Sequence, residues 1–177
     1  MKHPGTEFKC SASDMRLVDI SEKKLEVEAN QFASNFLMPE QMVKPIVLTS
    51  SFGFDTINYI RRHFQVSKIA AAFKLLEFTT ECCALVSSIN GVVKHVGLSQ
   101  NLIGEVKLPR LGAALPHESF AAKVTQSGIQ MRDFKEIASA VWLGKGGEHY
   151  CVYENSRANR ETESLRTCLT LLYFIKK

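Results

Sequence analysis

Apolar positions along this chain repeat with one period in its first part and another in its second. From Ser21 to Leu37, the residues Leu25, Ala29, Phe32, Ala33 and Phe36 recur at helical spacing. Ser21 is placed to cap that helix, and Glu22 sits in the first turn, where the helix dipole favours a carboxylate. Pro39 disfavours helical geometry at Met38, so the helix should end there. Residues 40–53, with Pro45 and Thr49-Ser50-Ser51, read as a connector. A second helix should start at Asp55 as its cap, with Phe54 and Tyr59 as a hydrophobic staple. Ile57, Ile60 and Phe64 form its apolar stripe. Gln65 and Val66 make a short turn, and Ser67 caps a third helix reaching about Phe78, with Ile69, Phe73 and Leu76 as its stripe. The pair is helix–turn–helix-like.

The period changes near Thr79. Cys83 to Ile89 and Val92 to Leu98 are β-rich runs joined by Asn90-Gly91, a dipeptide that accepts positive φ at both turn positions. Residues 99–116 carry Gly104, Pro109, Gly112 and Pro116 and read as a loop. A short helix is expected from Glu118 to Gln126. Ile137 to Leu143 and Tyr150 to Glu154 read as strands flanking a hairpin turn at Gly144-Lys145-Gly146-Gly147, followed by a polar loop. Leu165 to Ile175 reads as a last strand. The expected fold class is α+β: a helical segment over 1–43, the helix–turn–helix-like unit over 44–79, and a small antiparallel-sheet domain over 80–177.

Composition narrows the function classes. Hydrophobic residues make up 45% and charged residues 23%, so the chain can bury a core without disulfide staples. The net charge of +4 is too weak to imply nucleic acid by itself. The five cysteines, Cys10, Cys82, Cys83, Cys151 and Cys168, form no CxxC pair and read as reduced, half-buried thiols. No signal peptide and no membrane span are visible, which makes a cytoplasmic location the expectation.

The informative stretch is Leu25 to Pro39. On a helix Glu26, Ala29 and Ala33 share one strip, and the two alanines permit another helix to approach closely. Glu28 lies on the other flank beside Phe32 and Asn35. Geometry alone assigns both glutamates to the solvated flanks of an amphipathic helix.

The wording of the segment says more. Glu26-x-x-Ala29-x-x-Phe32-Ala33 with Phe36-Leu37-Met38-Pro39 resembles the ExxAxxFA…LLMP signature of the ImmA/IrrE zinc metallopeptidases. More loosely, Phe8 to Ser11, the His63 to Ser67 turn and the Cys83 to Val93 region resemble flanking parts of one subgroup. The resemblance implies a peptidase that cleaves regulatory proteins in the induction of mobile elements and in stress responses. It also implies zinc held by two histidines of an HExxH helix, with Glu26 as third ligand and Glu28 as fallback. Two histidines one helical turn apart can face one ion, and the open fourth position carries an activated water.

The chain departs from that pattern. It contains no HExxH, and His3, His63, His95, His117 and His149 are too far apart to share a helical turn. Met1 falls about where the metal helix should be ending, so a truncated or degenerate peptidase, inactive alone and holding no zinc, is expected. A regulatory module that binds a ligand or protein, or a fragment of an active repressor-cleaving endopeptidase, are the alternatives. By analogy with relatives the sheet domain is expected to be GAF-like.

Other signals are weaker. Residues 67–78 offer only Lys68, Lys74 and Glu77 for base readout, so DNA is not the expected partner. His95 reads as a surface strand histidine, and His117, Glu118 and Ser119 are sequence neighbours rather than a triad. The apolar stripe of Leu25, Phe32 and Phe36, lacking a covering helix, is expected to associate with a second copy.

Overall fold

The structure is a computed structural model and describes residues 32–128, 130–144, 147–160, 162 and 164–177. The chain divides into two compact units, Met1–Pro39 and Glu40–Lys177. In the first, residues 32–37 are helical and are here called α1. The helix stops where Pro39 requires, with the Met38 amide donating to the Ser34 carbonyl at 2.9 Å. The start expected at Ser21 lies outside the described residues.

The second unit begins with a helix where a connector was expected. α2 spans Glu40–Thr49 with Pro45 inside it. Pro45 removes one helical hydrogen bond. Burial of Val43 and Val47, one turn apart on the same face, offsets that loss. Lys44 also reaches back to Glu40 at 2.8 Å, an i,i+4 pair.

α3, Phe54–Phe64, and α4, Lys68–Phe78, follow. The turn between them forms as expected. Gln65 adopts a left-handed conformation (φ 56°), and the Ser67 side chain accepts the Ala70 amide. The start of α3 differs. Gly53, not Asp55, holds the cap position without a side-chain bond. No staple forms, since Phe54 is buried while Tyr59 is exposed and stacks on His63. The buried stripe of α4 is also rotated. Ala71, Ala72, Lys74, Leu75 and Leu76 are buried, whereas Phe73 is partly exposed. Small alanines let this helix lie close, and the bulky Phe73 packs along the rim instead.

The sheet is antiparallel, with strand order β2-β1-β5-β4-β3. Its strands are β1 Cys83–Ile89, β2 Val92–Leu98, β3 Lys135–Ile137, β4 Tyr150–Arg160 and β5 Arg166–Lys176. The Asn90-Gly91 turn has φ of 50° and 78°, as its dipeptide demands. Two expectations fail. β3 is confined to 135–137, and Ser139–Leu143, expected as strand, forms a short helix, α6; Lys145 and Gly146 of the expected turn lie outside the described residues. β4 runs on to Arg160 instead of giving way to a polar loop after Glu154, because it pairs with β5 along its whole length. The helix expected near 118–126 is α5, Phe120–Ser127, capped by Ser119. The α+β class holds.

Each face of the sheet is covered. Ala84, Val86, Leu172 and Phe174 point to one side and pack with Ala121, Val124 and Trp142 of α5 and α6. α4 lies on β1 and β2 on the other side. Gly97 makes that approach close, since a Cβ there would stand 2.7 Å from Leu76 Cδ1 and 2.8 Å from the Phe73 ring.

Candidate functional site

Four of the five histidines are described, and they lie on separate elements. Glu26 and Glu28 lie outside the described residues. His63 sits exposed on α3 between Tyr59 and Phe64. His95 is on β2, His117 in the loop before α5, and His149 just ahead of β4. Among the described residues, no group of three His, Cys, Asp or Glu side chains stands close enough to hold a metal ion. A zinc centre of the HExxH type needs two imidazoles on one helical turn, and these donors do not fit it. Four cysteines are described, and all are free. Burial pushes the Cys83 thiol up to about 12 and raises Cys168 as well, so neither supplies a thiolate near neutral pH.

A different constellation lies where the N-terminus of α4 meets the sheet. A cavity of about 270 Å³ is walled by Ile69, Ile89 and Leu169 and edged by Ser67, Ser87 and Thr167. Lys68, Arg157 and His95 also line it. Lys68 and Arg157 share one ring. The Arg157 guanidinium carbon stands 4.4 Å and the Lys68 ammonium 4.9 Å from the centroid of buried Phe54. No carboxylate pairs with either among the described residues. The Arg157 Nε is buried with no hydrogen-bond partner. Burial, then repulsion from Arg157 and Arg61, lowers the Lys68 ammonium below the usual lysine range.

His95 reaches this cavity through a β-bulge. β1 and β2 pair Ser87 with His95 but Ser88 with Val93, leaving Lys94 as the extra residue. Val93 therefore points into the core with α5, while His95, two residues on, faces α4 and meets Phe73 edge-on at 6.4 Å. It is the surface strand histidine expected, but it also borders the cavity.

Residues 13–76 match the family model of the IrrE N-terminal-like domain. The ImmA/IrrE resemblance carried by Glu26 to Pro39 is thus shown over that stretch. A comparison with curated proteins finds no match. The IrrE-like segment ends inside α4. It therefore contains Phe54 and Lys68 but not Arg157, and the five strands of the described residues lie beyond it. The segment includes the expected third ligand, Glu26, without any histidine pair among its residues.

Beyond the IrrE-like segment, sequence reasoning missed Glu154, whose side chain is wholly buried. Its carboxylate accepts the amides of Phe120 (3.2 Å) and Ala121 (2.5 Å) at the start of α5. It also accepts the Trp142 indole N–H (2.8 Å) and the Ser156 hydroxyl (2.7 Å). Burial raises its pKa, and these four donors pull it back. With every oxygen engaged it fastens α5 and α6 to β4, and it faces no cavity described above. The Ser119 hydroxyl accepts the Ala122 amide and donates to the Pro116 carbonyl, which leaves no triad with exposed His117 and Glu118.

Proposed function

We propose that this chain works by binding rather than by hydrolysis: an IrrE-type protein with a regulatory role, in transcription, mobile-element control or stress responses, that cleaves no peptide by itself. The observation that carries this reading is the donor set. Five histidines are spread so that no two share a helical turn, and Glu26 or Glu28 alone cannot cage a reactive zinc ion. A single carboxylate also lacks the general-base partner that metal-assisted hydrolysis needs.

Partner chemistry follows the same line. α4 is a poor DNA reader: Lys74 is buried and bonded to Glu77 at 2.9 Å, and Lys68 is turned over Phe54. A protein partner, including a repressor of the kind the family cleaves, suits the reading better. A second copy could join through α1, where Phe32 and Phe36 are exposed and stacked at 6.3 Å. No helix among the described residues is long and apolar enough to cross a membrane. A cytoplasmic location forms part of the proposal.

The test is a peptidase assay on this polypeptide with added zinc, with and without a chelator. No chelator-sensitive cleavage of an unstructured protein is expected, and Glu26→Gln should change nothing. Cleavage abolished by the chelator and by Glu26→Gln would overturn the reading.

The Glu26-x-x-Ala29 wording favours one other reading, in which this chain is part of a longer, active zinc endopeptidase. An in-frame HExxH encoded immediately upstream of the Met1 codon would establish it.

A further inference from the structure

We propose that the cavity beneath the N-terminus of α4 is a binding site for a small organic anion, with its oxyanion group held by Lys68 and Arg157 and its apolar body against Ile69, Ile89 and Leu169. The site stands on different observations from the loss of hydrolysis and would hold whether or not the chain cleaved peptides.

The charge arrangement is the first argument. Bringing two like charges together in a partly dehydrated site without a counterion is unfavourable. Here Lys68 and Arg157 both lie against Phe54, with no carboxylate paired to either among the described residues. An anion entering the cavity would relieve that repulsion.

The donors are the second. Arg157 lines the cavity, and one Nη donates to the Arg132 carbonyl at 3.4 Å, which orients the guanidinium. A guanidinium held this way presents a planar fork suited to an oxyanion. Lys68 opens α4, an eleven-residue helix whose dipole adds positive potential at this end. The Ser67 side chain caps only Ala70, so the first two amides of the helix have no side-chain cap.

The walls are the third. At about 270 Å³ the cavity lies just under the usual range for drug-sized ligands, so it suits a metabolite with one small ring or short chain. Ser87 and Thr167 at its edge can orient a polar substituent, and His95 closes the side formed by the bulge. A bare inorganic ion would leave the apolar walls wet. The chemistry recognised is therefore an oxyanion on an apolar body.

The test uses the whole chain and phenyl phosphate as probe, followed by amide chemical shifts in two-dimensional NMR. Saturable shifts are expected at residues 67–69, 87 and 167–169, weakening as salt is raised. Inorganic phosphate and benzyl alcohol should each bind more weakly than phenyl phosphate. Lys68→Gln, which removes the charge but keeps the first two methylenes of the stem, should cut affinity about tenfold, as should Arg157→Gln if its spectrum stays folded. Since Lys68→Gln alone decides the point, a folding failure of the arginine variant does not obscure it. No saturable shifts at these residues, or equal affinity in Lys68→Gln, would overturn the site.

Discussion

The indole of Trp142 donates to the carboxylate of Glu154 at 2.8 Å, with both side chains buried. This one bond ties α6, which the sequence disguises as a strand, to the middle of β4. Glu154→Gln would replace one accepting oxygen with a donor facing other donors. It should destabilise the fold by about 3 kcal/mol, read as a lower urea midpoint.

The closeness of α4 to the sheet rests on Gly97. Gly97→Ala would press a methyl group on Leu76 and Phe73. A loss of about 1–2 kcal/mol is expected, since both contacts are under 3 Å and the Leu76 and Phe73 side chains must move aside. Thermal unfolding measures it, and an unchanged midpoint would mean that α4 sits further from β2 than described.

Tyr173 donates to Glu81 at 2.7 Å, and that bond, with burial second, lifts its hydroxyl pKa to about 12. The folded state thus keeps a proton that the unfolded chain gives up near 10. The stabilisation is complete below pH 10 and is lost as pH rises through 12. Ultraviolet titration should show a tyrosinate appearing near pH 12 that is missing in Tyr173→Phe. In Glu81→Gln it should move down toward 10.

Thiol reactivity separates the cysteines. Cys82 and Cys151 are partly exposed, whereas Cys83 and Cys168 are buried with raised pKa values. A chromogenic disulfide reagent should modify the first two in the native protein and reach the second two only in denaturant.

Phe32 and Phe36 are 73% and 75% exposed on α1. Sedimentation should show concentration-dependent self-association, and the double change Phe32→Ser and Phe36→Ser should weaken it. A wild-type chain that stays monomeric at high concentration would remove the dimer from the proposal.

Local chemistry was readable in advance, and long-range pairing was not. The Asn90-Gly91 hairpin, the Ser67 cap and the stop before Pro39 each follow from one or two adjacent residues. α2 was hidden because Pro45 argues against a helix, and only the burial of Val43 and Val47 reverses that. Ser139–Leu143 is apolar enough to suit either period, and what makes it helical is the reach of Trp142 to a carboxylate twelve residues on. The cationic cavity was unreadable for the same reason, since Phe54, Lys68 and Arg157 meet only after the sheet folds. The bulge at Lys94 leaves no mark in the sequence, yet it decides which side His95 faces. The metal chemistry was the reverse case. The ExxA wording could be read directly, and so could the missing histidine pair.

The most direct test of binding without hydrolysis is the zinc content of the purified chain by native mass spectrometry after equilibration with one equivalent of zinc. The account predicts no zinc-bound species that survives a mild chelator. One zinc per chain, retained against that chelator and lost in Glu26→Gln, would contradict it.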